Sequence, residues 1–409
     1  MSSLEKKLVR AVLNRIRARR AISVEADNLR AAESSRASGT LTLRNAQLSD
    51  FQSVSELKGR YGIVVDPPDN WNRLWRNNPA TAGMTSEPVI GWVLESQGGI
   101  VGYLGNIHLT YWYGCKPLTA AVGSGLVVEP SYRLFAMRLV KAFFEQKGVD
   151  LYLGTTVIEP VLKMSQCFGA ALLPQTGCDL VYFWVLRPYQ FAESMTKKMR
   201  LSKPFEHLSR PALQFALRAD RILRKRKPTG VSRSLSVTER NISEVAQELE
   251  VFSVQKRGER TRIFADRSAQ ILRWHFEIPG FQGTVRLVCC YDAEKLVGYA
   301  VICTNSRDVD GLRRTKVADI LASQDDPDVL RSLLVAAYSR AVRDGSDLFE
   351  IACAPVEVQA AIAGWKPYVR SLPSPQFFYK AVDQQVHKAL ALGSAWYASA
   401  YDGDTSLMP

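Results

Sequence analysis

The stretch Ile100-Val101-Gly102-Tyr103 recurs as Leu296-Val297-Gly298-Tyr299, 196 positions further along the chain. The first copy lies in a predicted hairpin, in which the turn Gln97-Gly98-Gly99 separates a strand over 89–96 from a strand over 100–111. A repeat constrains the architecture more strongly than any single element, because a self-similar chain is built from copies of one structural unit. Further matched pairs should therefore flank this motif at a similar offset.

Four such pairs occur in the same order along the chain, and all five offsets lie between 194 and 199. The pairs are Leu41-Thr42-Leu43-Arg44 with Leu235-Ser236-Val237-Thr238, Arg73-Leu74-Trp75 with Leu272-Arg273-Trp274, Gly148-Val149-Asp150-Leu151 with Gly345-Ser346-Asp347-Leu348, and Phe168-Gly169 with Ala363-Gly364-Trp365. Any one pair is a common fragment, but their shared spacing indicates two divergent copies of a unit of about 195 residues.

The spacing of apolar residues within each copy predicts a strand, two helices, three strands, a helix, a strand, a helix and a closing strand. In the first copy Pro79 ends the second helix, and Gly123 and Gly125 interrupt the strand over 118–128. Glycines inside a strand are typical of a bulge or of a close approach by a ligand. The predicted fold class is mixed α/β, with two tandem units that each contain a mostly antiparallel mixed sheet flanked by helices.

Short motifs at matching places in this order carry a resemblance to a known family. They are Val101-Gly102-Tyr103, Val127-Val128-Glu129-Pro130-Ser131-Tyr132-Arg133 and Met164-Ser165-Gln166-Cys167-Phe168-Gly169 in the first copy, and Leu296-Val297-Gly298-Tyr299 and Gly364-Trp365 in the second. The chain resembles the GCN5-related N-acyltransferases over residues 40–187 and 234–382, in a tandem arrangement similar to that of FemAB-like aminoacyl transferases. The resemblance implies two acyl-CoA N-acyltransferase-like units.

The turn that follows the strand over 118–128 is the predicted cosubstrate site. A strand that opens directly into a helix presents unpaired N–H groups and the positive end of a helix dipole, which together hold phosphates. In the resembled family this turn binds the pyrophosphate of acyl-coenzyme A, a cosubstrate rather than a permanently bound cofactor. The resemblance implies contacts from Val127, Val128, Arg133, Ala136 and Arg138.

Two of these positions depart from the family pattern, which has glycines where this chain has Ala136 and Arg138. Ala136 adds only a Cβ, and Arg138 can contact an anion from the side. The corresponding stretch of the second copy, Gln324-Asp325-Asp326-Pro327-Asp328, places three carboxylates where phosphates would bind. Like charges repel at short range, so the second copy is not expected to bind coenzyme A.

The catalytic groups are less well marked by the sequence. Many members of the resembled family carry a tyrosine four residues before the final glycine, where this chain has Ser165 in the first copy. A serine hydroxyl is a poor acid, so the candidate acids are Ser165, Tyr132 and Tyr152, and the candidate bases are Glu129 and His108. The alternative interpretation is favoured for both bases: Glu129 as a carboxylate at a helix start and His108 as a hydrogen-bonded strand residue.

The flanking segments complete the predicted organisation. The expected divisions are a basic amphipathic helix and linker at 1–39, a first domain at 40–188, a basic helical linker at 189–233, a second, degenerate domain at 234–382, and a C-terminal helix and tail at 383–409. The basic amphipathic helix over residues 4–22 suits an anionic membrane surface or an acidic partner. Docking of this segment on its own protein, or disorder, is an equally strong alternative.

Composition narrows the class of protein. A net charge of +13 favours anionic partners without choosing among them. No apolar run reaches the ~18 residues that a membrane span needs, so we expect a cytoplasmic protein or one bound peripherally to the inner face of the membrane. The seven cysteines contain no C-x-x-C pair and are expected to be small core residues, and the four histidines have no paired spacing, so no metal site is expected.

The leading functional expectation is transfer of an acyl group from acyl-CoA to an amine. A sugar or glycolipid precursor of the cell envelope is the acceptor suggested by analogy with tandem members of the family. Two alternatives stay open: a non-catalytic binding protein with degenerate domains, and FemAB-like transfer from aminoacyl-tRNA. Nucleic acid is otherwise not expected as a partner, because the chain has no zinc finger and no strand motif interleaved with aromatic residues.

Overall fold

The computed structural model describes residues 41–84, 87–199, 203–224, 226–230, 234–305, 308, 310–372 and 376–407. The amphipathic helix predicted at residues 4–22 lies outside these residues. The chain divides into two compact units, of which unit 1 contains the described residues up to Val65 together with Val89–Asn106 and Ser124–Glu145. Unit 2 contains Asp66–Pro88, Ile107–Gly123 and the chain from Gln146 onward. The domain boundaries given by the sequence stay a prediction.

The described residues form strands and helices along most of their length. The strands are β1 Thr42–Asn45, β2 Gly91–Ser96, β3 Gly99–Tyr113, β4 Lys116–Val128, β5 Leu151–Val157, β6 Ala171–Leu172, β7 Leu180–Val185, β8 Leu235–Arg240, β9 Ile263–Ala265, β10 Thr284–Asp292, β11 Lys295–Thr304, β12 Arg314–Ala322, β13 Leu348–Ala352, β14 Tyr368–Ser371 and β15 Gln376–Ala381. The helices are α1 Phe51–Arg60, α2 Pro68–Trp75, α3 Ala136–Glu145, α4 Glu159–Gln166, α5 Pro188–Lys198, α6 Lys203–Leu223, α7 Ala246–Glu259, α8 Ala269–Phe276, α9 Pro327–Arg343, α10 Val356–Ile362 and α11 Gln384–Ala389.

This order confirms the fold class predicted from the repeat, because β1 to β5 with α1 to α4 recurs as β8 and β10 to β13 with α7 to α10. The hairpin turn over 97–99 connects β2 and β3 as the sequence predicts, and these strands pair antiparallel in the register Val93 with Tyr103. The described strands form two sheets, and among these strands each sheet is mostly antiparallel with one parallel pair, β4 with β5 in the first and β12 with β13 in the second.

Unit 1 is built around the β1, β2 and β3 ladder, with helices α1 and α3 packed against it. Helix α1 buries Val54 and Leu57, and helix α3 buries an apolar stripe that includes Phe143. The Phe143 ring meets Trp92 of β2 edge to face, with ring centroids 6.3 Å apart. Because these apolar residues are three and four positions apart, they lie on one face of each helix, and that face packs against the sheet.

Unit 2 contains an exchange of closing strands that the sequence did not predict. Strand β7, which ends the first copy, pairs antiparallel with β13 and β14 of the second sheet. Strand β15, which ends the second copy, pairs antiparallel with β5 and β6 of the first sheet. The second sheet therefore has the order β14, β7, β13, β12, β11, β10, β8. Its core lies between this sheet and α9, where Leu333 and Ala337 pack among Trp184, Ile302 and Phe349.

The exchange also corrects the expectation for the cysteines. Cys178 and Cys353 form a disulfide, although 175 positions separate them. Cys178 precedes β7 and Cys353 follows β13, and the pairing of Val181 with Ala352 in these strands brings the two cysteines together. Cys115 and Cys167 are exposed rather than in the core, whereas Cys289 and Cys290 are buried as expected.

Helix length and composition decide whether a segment can cross a bilayer. Across the described ranges, no helix combines the length and the apolar composition of a membrane span.

The linker region predicted to be helical contains α5 and α6.

Candidate functional site

The turn between β4 and α3, in unit 1, is the part of the structure that the sequence marks as a ligand site. Strand β4 ends at Val128, and the Glu129 backbone N–H still donates to Val101 O at 2.8 Å. Glu129 is extended, with φ −55° and ψ 143°, and Pro130 then opens a tight helical turn over Pro130–Phe135 that leads into α3. Proline suits this first position because its ring presets the helical φ and the N–H that it lacks would have no partner there.

The start of this helical segment has no side-chain cap, and the Tyr132 backbone N–H donates to Glu129 O at 2.9 Å. The Glu129 side chain makes no capping hydrogen bond to the turn, and the first turn of α3 contains no acidic residue. Ala136 is buried where the turn meets α3. N–H groups at a helix start carry a partial positive charge that attracts phosphate or carboxylate groups.

Four side chains near the turn interact electrostatically. Arg60, at the end of α1, places Nη1 2.9 Å from Glu129 Oε1. Burial raises the pKa of Tyr61, Glu129 raises it further, and Arg60 and Arg133 lower it, so these three charged groups lie within electrostatic range of Tyr61. Arg138 lies further along the chain, with its guanidinium 5.0 Å from the Phe135 ring centroid. Two arginines, Arg60 and Arg133, against one carboxylate leave this cluster positively charged.

The other predicted residues of the turn have mixed environments. Val127 is buried, Val128 is half-buried, and Arg133 and Arg138 are exposed. The Tyr132 hydroxyl donates to Ser96 Oγ at 3.1 Å, which fixes the phenol against the end of β2. The structure therefore brings Glu129, Tyr132 and the cosubstrate residues of the prediction into one unit, and their catalytic roles stay predictions.

Lys58 is a residue of this region that the sequence reasoning did not single out. Gly125 has φ +65°, and a Cβ built on it would lie 2.9 Å from Lys58 Cε, so the glycine provides the space that the lysine occupies. Lys58 is buried, and its Nζ lies 5.6 Å from the Tyr103 ring centroid. The sequence feature that could have identified Lys58 is its helical spacing: it lies one turn after Val54, on the apolar face of α1.

The remaining candidate catalytic residues lie in unit 2. His108 is a buried residue of β3, and its carbonyl accepts a hydrogen bond from Asn78 Nδ2 at 2.8 Å. Ser165 is buried in α4, where its hydroxyl donates to Val161 O at 2.9 Å. Tyr152 Oη donates to Gln146 O at 3.0 Å, and burial raises the pKa of this tyrosine. The hydroxyl protons of Ser165 and Tyr152 are thus already engaged by backbone carbonyls.

The equivalent turn of the second sheet is closed by its own charges. Asp326 caps α9 by accepting from Asp328 N at 2.7 Å and from Val329 N at 3.4 Å. Buried Asp325 pairs with Lys256 Nζ at 2.7 Å and with Arg262 Nη2 at 2.8 Å. Carboxylates therefore occupy the positions that phosphate oxygens would need.

Comparison with known proteins supports the fold alone. No protein-family model matches the chain, and no curated protein matches it either. Similar solved structures include GCN5-related N-acetyltransferases from Anabaena variabilis ATCC 29413 and from Kribbella flavida. Each is 11% identical to this chain, with a TM-score of 0.52, and the match covers 84% of this chain. The match covers 73% of the Anabaena protein and 72% of the Kribbella protein. A conserved protein from Enterococcus faecalis V583, described as a probable N-acyltransferase, is 9% identical to this chain with a TM-score of 0.54. The match covers 86% of this chain and 74% of the Enterococcus protein. The chain therefore has the fold of the GCN5-related N-acetyltransferases.

Proposed function

We propose that the protein transfers an acetyl or longer acyl group from acyl-CoA to an amine, with the pyrophosphate of the cosubstrate at the turn over Pro130–Phe135. The observation that carries this proposal is the contrast between the two turns. In the first turn the Glu129 side chain makes no capping hydrogen bond, and arginines lie nearby. In the second turn Asp326 caps the helix and buried Asp325 occupies the adjacent space. The fold shared with N-acetyltransferases and this contrast between the turns together favour a single active copy.

The residues of the turn fit a pyrophosphate. In this proposal the helix start supplies a partial positive charge, and Arg133 and Arg138 supply charge from the exposed side. Arg60 is already paired with Glu129, so the carboxylate does not repel the ligand with its full charge. Ala136 is buried and adds only a Cβ where the family pattern has a glycine.

The chemistry requires a neutral amine, whose lone pair attacks the thioester carbonyl while a proton leaves the nitrogen and another reaches the departing thiolate. The thioester supplies the activated acyl group. Glu129 and His108 are the proposed proton acceptors, and Tyr132 is the proposed donor. Its hydroxyl donates to the side-chain hydroxyl of Ser96, whereas those of Ser165 and Tyr152 donate to backbone carbonyls. Positioning of the amine would supply much of the rate enhancement.

The proposed acceptor is the amine of a sugar or glycolipid precursor of the cell envelope, reached by a cytoplasmic protein that binds peripherally to the membrane. One feature of the described residues supports binding to a membrane surface. Leu134 is 93% exposed between Arg133 and Arg138, so an apolar side chain projects beside two cations. Such a combination suits the interface of an anionic bilayer. The tandem, FemAB-like arrangement of the two copies and the basic segment at 4–22 are part of the same proposal.

The proposal is tested by thermal unfolding with acetyl-CoA, octanoyl-CoA and free coenzyme A. A ligand that binds only the folded state stabilises it, by about 2.7 kcal/mol at a hundredfold excess over Kd. We expect a rise in Tm for the wild type that is lost in Arg133→Glu. Arg331→Glu reverses a charge near the start of α9 and is the matched control, because Arg331 pairs locally with Asp328.

The contrary results point to different functions. No shift at millimolar ligand would reject the acyl-CoA proposal and favour a non-catalytic binding protein. Binding of tRNA with a steep dependence on salt would favour aminoacyl-tRNA as the donor. Binding of acyl-CoA that Arg133→Glu leaves intact would reject the proposed position of the pyrophosphate.

A further inference from the structure

Unit 2 contains a separate pocket of about 230 Å³ on the second sheet. It lies on the face opposite to the one that packs on α9, since Ile302 and Phe349 point into the α9 core and their neighbours Cys303 and Glu350 line the pocket. Successive residues of a strand alternate between the two faces of a sheet, so the register decides which side chains share the pocket floor.

The register places one row of side chains across this floor. Val285 of β10 is paired with Cys303 of β11, Cys303 with Lys316 of β12, and Lys316 with Glu350 of β13. Directly paired residues project to the same face with Cβ atoms about 5 Å apart. All four line the pocket, which therefore has an apolar end and a charged end.

The walls of the pocket are largely apolar. Phe276, Ile278 and Phe281 come from the end of α8 and the following segment, and Ala318 and Ala352 add to the floor. Burial raises the pKa of Cys303 to about 12, so its thiol stays protonated and serves as an apolar surface rather than as a nucleophile. A ligand body without polar groups would be in contact with these residues.

The charged end has a net positive character. Glu350 is buried and already lies near two cations, with Oε1 3.5 Å from Arg314 Nε and 3.3 Å from Arg370 Nη2. Lys316 is exposed, and within the described part of the chain no carboxylate forms an ion pair with it. The pocket thus offers one lysine to an anionic group, while the Glu350 carboxylate disfavours a second negative charge.

We propose that this pocket binds an amphipathic monocarboxylate such as a short fatty acid, with its chain against Phe276, Ile278 and Phe281 and its carboxylate at Lys316. This site is distinct from the turn proposed for acyl-CoA, since it is built from other residues of the chain. Ligand pockets of this kind combine mostly apolar walls with a few convergent polar groups that fix the orientation.

The test is isothermal titration of the full-length protein with hexanoate, octanoate and decanoate, and with 1-octanol as the uncharged counterpart. Affinity should rise about fourfold for each added methylene. Octanoate should bind about tenfold more tightly than octanol. Lys316→Met should remove the preference for octanoate, and Lys141→Met, which changes an exposed lysine of unit 1, should leave it intact.

Two further variants keep the proposal falsifiable. Ala352→Phe places a ring in the pocket and should abolish binding of both octanoate and octanol. Arg133→Glu should leave octanoate binding unchanged, which separates this site from the acyl-CoA site. The proposal is overturned if no member of the series binds, if octanoate and octanol bind equally, or if Lys316→Met preserves the preference for the carboxylate.

Discussion

Arg73 and Trp274 exchange two hydrogen bonds in unit 2: Arg73 Nη1 donates to Trp274 O at 2.6 Å, and Trp274 Nε1 donates to Arg73 O at 3.0 Å. The two residues belong to α2 and α8, which are the second helices of the two sequence copies. The Arg73 guanidinium also lies 5.3 Å from the Trp274 ring centroid. Residues that marked the repeat in the sequence thus join the copies in the structure.

Arg73→Met should lower the free energy of unfolding by about 3 kcal/mol, because buried acceptors would lose their donor. These acceptors are Trp274 O, Leu407 O and Asn70 Oδ1. Arg273→Met is the control, since Arg273 is about half exposed and pairs with Glu277 on its own helix, so a change within about 0.5 kcal/mol is expected. Urea unfolding measures both. Equal effects of the two substitutions would contradict this role.

His275 should make stability depend on pH below neutrality. Burial lowers the pKa of His275 well below its usual value, and Arg73 and Arg267 lower it further. Below about pH 6.5 the unfolded chain therefore binds a proton that the folded protein does not, and stability falls as pH falls. The wild type should lose about 1.4 kcal/mol from this group between pH 7.5 and pH 5.5. Urea unfolding of His275→Gln should show a correspondingly smaller loss, and identical pH profiles would refute the assignment.

Arg267 should be essential to a buried charge network. Its Nε donates to Asp319 Oδ2 at 2.9 Å, and Tyr299 Oη donates to the same oxygen at 2.8 Å. Arg267→Met leaves the Asp319 carboxylate buried without its cation and should cost about 3 to 5 kcal/mol. The double variant Arg267→Met with Asp319→Leu should recover part of this loss. Additive losses in the double-mutant cycle would show that the pair is not coupled.

Gly403 should tolerate no side chain. It has φ +66°, and a Cβ built on it would overlap the Thr155 side chain. Gly280 has a similar φ of +73°, but a Cβ added there would have nothing within 4 Å of it, which makes this glycine a matched control. Gly280→Ala should cost about 1 to 2 kcal/mol from backbone strain alone, and Gly403→Ala should cost more. Thermal unfolding of both variants decides the comparison, and equal losses would contradict the steric argument.

The sequence predicted the sheets well because their signals are local. Alternation and turn residues around Gln97 mark the β2 and β3 hairpin, and Pro130 marks the opening of the turn before α3. The strand exchange left no comparable signal, since the apolar runs of β7 and β15 suit either sheet. The buried contacts of Asp402 and Gly403 were equally hidden: their small and acidic side chains are typical of exposed tails, yet Tyr111 Oη donates to Asp402 at 3.0 Å.

For the candidate site, the sequence located the backbone of the turn but not its supporting side chains. Arg60 and Tyr61 lie far from Glu129 along the chain, and only the packing of α1 brings them together with it. Lys58 shows the same limit, because a charged residue on an apolar helix face has no meaning until the space beside Gly125 is known.

The exchanged strands have a consequence for how the chain is made. On the ribosome, domains commonly fold in order as they emerge. Strand β15 lies between β5 and β6, so this part of the first sheet lacks an interior strand until residue 381 has been synthesised. Until then β5 presents an unpaired edge of the kind that recruits other chains. The nascent protein therefore depends on late synthesis to complete an early structure.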